Sequence, residues 1–229
     1  MIKFIIIFIV ILLLTIGCYY YIKNLGHTVL YDNPDLFYGN KELYIGQENM
    51  PNSNEKVKYS FSIWLRTNNI SENSIWYNNP NEPKTIVFNN GSPNIQYLRK
   101  NNTIRIQIVY NNSENILEMY NFDLEEIPSQ VWCNIVVTVN NEYVDIYKNG
   151  ILYKSKQLPN PNLKSYKMMN IGEKYNNFNG YIGRIDYYNY VLTSEKILEL
   201  YNYKDKLPNN LMSYESYEYL RKEKEKINN

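Results

Sequence analysis

Hydrophobic and polar residues alternate with a period of two along most of the chain. The clearest stretch runs from Trp132 to Gly150. Cys133, Ile135, Val137 and Val139 share one face of a first run. After the polar break Asn140-Asn141-Glu142, Val144 and Ile146 alternate with Asp145 and Tyr147, and Asn149-Gly150 supplies a second turn. Two β-rich runs joined by short turns predict a meander with one face in a core. Residues 57–66 read the same way, with Tyr59, Phe61, Ile63 and Leu65 opposite Ser60, Ser62 and Trp64. A tryptophan on the serine face predicts a second covering layer, as in a sandwich.

Further strands are predicted over 85–88, 94–99, 103–110 and 115–122, separated by Asn- and Gly-rich turns. In 103–110, Ile104, Ile106 and Ile108 oppose Arg105, Gln107 and Val109. Strands at 151–155, 169–171 and 178–188 follow. In the last, Ile182 is out of phase with Ile185 and Tyr187, which predicts a β-bulge near Gly183. Residues 67–84 read as a long loop, either a binding loop or a tolerated insertion. Residues 193–201 predict a short helix, with Thr193 as N-cap and Ile197, Leu200 and Tyr201 as its apolar stripe. A second, Lys/Glu-dense helix is predicted over 214–227, as a solvated tail or a partner-binding helix.

The chain's beginning breaks this rhythm. Phe4 to Ile22 carries no charge and is bracketed by Lys3 and Lys23. As a helix it would be about 28 Å long, close to a hydrocarbon core of about 30 Å, and Tyr19 to Tyr21 fall where an aromatic belt belongs. The expectation is a single-pass membrane anchor in contact with lipid, on a virion or host membrane. Its orientation is undetermined, since Lys3 and Lys23 nearly cancel. The rivals are a cleaved signal peptide and a lipoprotein signal processed at Cys18. The expected organisation is an anchor over 1–23, a connector over 24–41 with a strand candidate at 29–31, a sandwich over 42–203 opening on a strand candidate at 42–45, and a charged helical tail over 204–229.

Composition limits the chemistry. The net charge of +1 gives no field argument for nucleic acid. Alanine is absent while there are 25 tyrosines, a bias expected of an A+T-rich genome. Sequons at Asn69, Asn90, Asn101 and Asn111 are therefore weak signals of glycosylation. Cys18 and Cys133 lie in unrelated segments, so no internal disulfide is expected. The single histidine, His27, excludes a multi-His metal site. Placed outside the expected sandwich, it is also set aside as a triad member.

Three stretches in order resemble the concanavalin A-like lectin/glucanase superfamily in its laminin-G-like, jelly-roll form. Tyr59-Ser60-Phe61-Ser62-Ile63-Trp64-Leu65 is similar to the first core strand. Trp132 to Gly150 is similar to the "WhhvavT…lYvNG" hairpin, with Asn134 in place of the usual His. Phe178-Asn179-Gly180-Tyr181-Ile182 through Tyr201 is similar to the last strand and helix, with Gly183 and Arg184 replacing an Asp-Glu pair. The resemblance implies an all-β fold, a two-sheet antiparallel sandwich with one sheet concave.

Members of that superfamily include lectins, protein-binding modules and glycoside hydrolases, so the fold leaves the activity open. The hydrolases place clustered carboxylates on one strand as E-x-D-x-E. That pattern is absent here, Glu125 and Glu126 read as loop, and Asp145 and Asp186 stand isolated, so no catalytic residue is assigned. Laminin-G-like domains often bind calcium; no acidic cluster supports it, and no cofactor is assigned. Tyrosines such as Tyr97, Tyr110 and Tyr120 could stack on sugars if they shared a face, or could simply cover the sheet. The leading expectation is a membrane-anchored, non-catalytic module recognising glycan or protein. The alternative is a particle component tying a membrane to a protein coat, since the composition also resembles proteins of large DNA viruses of protists. A glycoside hydrolase is the remote third.

Overall fold

A computed structural model of the chain describes residues 2–24, 26–37, 42–46, 58–68, 82–89, 93–112, 114, 116–158, 168–173, 178 and 180–208. In chain order the strands are β1 (His27–Phe37), β2 (Leu43–Gly46), β3 (Lys58–Thr67), β4 (Lys84–Asn89), β5 (Asn94–Leu98) and β6 (Thr103–Asn111). They continue as β7 (Leu117–Leu124), β8 (Cys133–Asn140), β9 (Tyr143–Lys148), β10 (Ile151–Gln157), β11 (Met168–Ile171) and β12 (Gly180–Tyr188). Among the described residues they form two antiparallel six-stranded sheets. Sheet A has the order β1-β12-β3-β8-β9-β10, and sheet B the order β2-β11-β4-β5-β6-β7.

The period-two pattern explains how the sheets meet. Phe61, Ile63, Ile135, Val137 and Ile146 point inward from sheet A and join Ile95, Ile106, Phe122 and Ile171 from sheet B in one apolar cluster. All nine are fully buried, and each such side chain contributes about 1.5–3 kcal/mol of burial. Turn chemistry fixes the meander: Asn149 and Gly150 both have positive φ, 53° and 79°, as a two-residue type I′ hairpin turn requires. The predicted bulge is present. The register of β12 against β3 shifts between Ile182 and Arg184, opposite Leu65 and Trp64, and leaves Gly183 as the extra residue.

The predicted helix is α2 (Ser194–Tyr201), where the Thr193 side chain accepts a hydrogen bond from the Lys196 amide. A 3-10 turn follows at Asn202–Lys206. Together they cover the outer face of sheet A in two clusters. One joins Trp64, Trp132, Tyr181 and Leu207, flanked by Tyr201 and Tyr203; the other joins Val136, Tyr188, Leu192 and Ile197. The layer that Trp64 announced is thus this C-terminal strap, while the second sheet covers the opposite face.

Two expectations need correction. The helix α1 runs Ile2–Asn24. Among the described residues no helix is long and apolar enough to cross a membrane. This overturns the single-pass localisation and, with it, the lipid contact expected through Phe4 to Ile22. The second correction concerns the stretch read as a connector, which carries β1. β1 pairs with β12 along its length, with register shifts between Val29 and Tyr31 and between Asp32 and Asp35. Those irregularities erase the alternation that would have marked a long strand. The loop expected over 67–84 and the tail helix over 214–227 fall largely or wholly outside the described residues.

Candidate functional site

The outer face of sheet A holds a charged network under the strap. Asp186, whose side chain is 1% exposed, accepts two hydrogen bonds from Arg184, from Nε and Nη2, both at 2.8 Å. His27 Nε2 lies 2.9 Å from the same carboxylate, and its ring stacks on Tyr188 at 4.3 Å between centroids. Arg184 also reaches Asp32 at 3.3 Å, and the Tyr203 hydroxyl donates to Asp32. Burial alone would push Asp186 up. The hydrogen bonds and charges of His27 and Arg184 outweigh it and hold the carboxyl below its ordinary range, while the hydrogen bond from Arg184 to Asp186 and the Asp186 charge raise Arg184. Asp186 is therefore not isolated, and His27 is not outside the sandwich. Among the described residues, the nearby serines are engaged elsewhere. Ser60 donates to the Tyr190 carbonyl and accepts from the Leu192 amide, and Ser62 accepts from Asn134. Cys133 is buried, and that burial pushes its thiol up to about 11. These groups hold β1, β12 and the strap together.

Among the described residues, no element covers the outer face of sheet B. On β2, β11 and β4, the core-facing Leu43, Ile45, Met169, Ile171 and Val87 leave Tyr44, Asn170 and Phe88 pointing outward. These three stand in one row, Asn170 paired with Tyr44 on one side and with Phe88 on the other. Tyr44 is 58% and Phe88 47% exposed. Across the sheet the row continues through amides, with Asn94 opposite Gln107 and Gln107 opposite Asn121. The Gln107 amide donates to Asn121 at 3.1 Å. A parallel row holds Gln96, Arg105 and Asp123. Arg105 binds Asp123 bidentately at 2.8 Å, which lowers Asp123 and raises Arg105. Such a surface offers aromatic faces for stacking and amides for hydroxyl or peptide groups.

The tyrosines singled out from sequence do not lie on this face. Tyr97 is buried in the core, and Tyr110 and Tyr120 pack against it. Tyr97 donates to Asn102, and Tyr120 meets Phe122 edge-on. Apart from Asp32 and Asp186, which share Arg184, the carboxylates singled out from sequence lie apart. Asp145 accepts from Ser155, Glu118 from Tyr110 and Asn112, and the Glu125 and Glu126 carbonyls accept from Lys148. Among the described residues no group of three or more His, Cys, Asp or Glu side chains could hold a metal ion.

Residues 32–198 match a laminin-G family model of the Concanavalin A-like lectin/glucanases superfamily. The chain belongs to that superfamily. Solved structures with a similar fold include the binding domain of botulinum neurotoxin serotype D, at 19% identity and a TM-score of 0.54, covering 77% of this chain and 45% of that one. Another is from a study of botulinum neurotoxin type C, whose cell entry depends on two ganglioside molecules, at 17% identity and a TM-score of 0.52, covering 78% and 46%. A third is the neurotoxin DC binding domain in complex with rat synaptotagmin II, at 18% identity and a TM-score of 0.50, covering 78% and 46%. The superfamily member described here thus spans less than half of each of these chains, and likeness at this identity speaks for the fold. No curated protein sequence matches the chain.

Proposed function

We propose that the protein is a non-catalytic binding module that recognises glycan or protein through the open face of sheet B. One observation carries this reading. Among the described residues, the C-terminal strap seals the outer face of sheet A, while sheet B presents exposed aromatics and amides. Exposed aromatic side chains rimmed by polar groups mark recognition surfaces. One chain of similar fold is from a study of neurotoxin entry through two ganglioside molecules, and another is in complex with rat synaptotagmin II, which is why both glycan and protein stand as ligand classes to test. Asp32 and Asp186 share Arg184, and Asp186 is buried and ion-paired, which favours binding over glycoside hydrolysis, since that needs two carboxyls across a scissile bond. A particle component tying a membrane to a coat would need a membrane-crossing segment, and among the described residues no helix is long and apolar enough to supply one.

The test is a glycan array probed with the folded protein, in calcium and then in chelator, with release of reducing ends followed in parallel. Saturable binding without release is the expected result. Release of reducing ends would make the protein a hydrolase and sink the proposal.

A further inference from the structure

We infer that the free edge of β7 takes an added strand, an extended segment of another protein that alternates apolar with basic residues. Four strands end the two sheets, β1 and β10 in sheet A and β2 and β7 in sheet B. Three of these edges are guarded. β1 contains Pro34 and two register shifts. β2 has only four residues. β10 carries Lys154 and Lys156 and a register shift between Leu152 and Lys154. Proline, irregularity, shortness and lysine all discourage strand addition. β7 has none of them. Its eight residues pair with β6 without a shift and include neither lysine nor proline. Among the described residues no strand pairs with its other side. This edge lies at the opposite end of sheet B from Tyr44, and it stands whether or not the outer face binds a ligand.

The ladder decides which backbone groups are on offer. The Asn112 amide donates to the Ile116 carbonyl at 2.9 Å, a hydrogen-bonded pair at the head of the hairpin. Such pairs alternate along an antiparallel ladder. Glu118, Tyr120, Phe122 and Leu124 therefore turn their N–H and C=O groups toward β6, while Leu117, Met119, Asn121 and Asp123 turn theirs outward. Leu117 and Met119 are 58% and 53% exposed. An incoming strand thus meets free backbone groups and apolar side chains at alternate positions, the pattern that strand addition reads. Charge selects the partner. Asp123 is held by Arg105, and Lys156 of β10 lies over the Tyr120 ring. Exposed Glu118 is held only by the neutral Tyr110 and Asn112, which keep it below the ordinary carboxylate range. A lysine or arginine beside Glu118 makes a favourable cross-strand pair. A second β7 would add two more acids and no cation, so a basic strand fits this edge better than another copy of the chain.

The experiment titrates the full chain into a fluorescein-labelled peptide of β7's length that alternates valine with lysine and threonine, and into a version with glutamate in place of lysine. Fluorescence anisotropy reads the binding. Met119→Pro removes one outward N–H without breaking a bond to β6, and Met119→Lys adds an edge charge on an unchanged backbone. Circular dichroism checks that both variants fold. The expected result is saturable binding of the basic peptide, with slowed hydrogen exchange at Leu117, Met119, Asn121 and Asp123. Binding should be about tenfold weaker in each variant and for the acidic peptide. Equal binding by wild type and both variants would overturn the edge as the site. Equal binding of the two peptides would overturn the chemistry assigned to the partner. A folded chain that binds neither peptide would overturn the proposal outright. So would sedimentation showing a dimer that Met119→Pro dissolves, since a second copy would then be the occupant.

Discussion

At the scale of single residues, the chain invests its buried charge in Asp186. A carboxylate 1% exposed is tolerable only with partners, and it has three hydrogen bonds shared between Arg184 and His27. Replacing it with Asn keeps the shape but leaves Arg184 without its main counter-charge. Arg184 is 17% exposed, so solvent screens part of the loss. Asp186→Asn should cost about 2–3 kcal/mol, below the full penalty of a broken buried pair, read as a lower urea midpoint. The folded carboxyl titrates below its unfolded value. Its contribution is therefore complete above about pH 4 and is lost as the pH falls through the folded pKa. Wild type should lose stability on acidification below about pH 4 more steeply than Asp186→Asn. Parallel acid profiles would show that the network contributes nothing. None of this was legible in sequence, because a histidine and an aspartate 159 positions apart meet only through strand pairing. The outward row of Tyr44, Asn170 and Phe88 was hidden for a related reason. Tyr97, Tyr110 and Tyr120 share the parity of core isoleucines, whereas Tyr44 sits singly between two apolar neighbours in a four-residue strand.

At the scale of elements, glycines decide how β12 fits. A methyl at Gly183 would meet the tip of Leu207 at 2.7 Å and the Trp132 ring at 3.1 Å, while one at Gly180 would press on the Arg66 backbone carbonyl and the Phe178 ring. Side-chain ends can yield and a backbone carbonyl in a ladder cannot. Gly183→Ala should therefore cost about 1–3 kcal/mol, and Gly180→Ala should cost more. Thermal melts of the two variants decide this, and the reverse order would mean that the strap is more rigid than its packing suggests. The strap has its own lever in Thr193, where Thr193→Ala should cost about 1 kcal/mol of stability by freeing the Lys196 amide. The Gly183 bulge was readable because a phase slip coincided with a glycine. The bulge between Thr85 and Val87 was not. The run Thr85-Ile86-Val87-Phe88 is apolar on consecutive positions, so it carries no phase to slip, and the outward turn of Phe88 left no mark.

For the whole molecule, alternation made the sandwich legible, since most core positions recur every second residue in strands bounded by Asn and Gly turns. It failed where pairing is irregular, as in β1, and where hydropathy alone suggested a membrane segment. The same layout sets a gradient of stability. β3 and β8 are paired on both sides and packed on both faces, whereas β10 is paired only with β9 and all seven of its residues are exposed. Lys154 and Lys156 stand on that edge, a feature that discourages strand addition. Hydrogen exchange should therefore slow from β10 through β9 to β8, with β3 and β8 amides opening only in global unfolding. In sheet B the central β5 should outlast the edges β2 and β7. The decisive amides are those of Ile151 to Gln157. Fast exchange there fits an edge left free in solution, and protection matching β8 would mean that a second chain covers it.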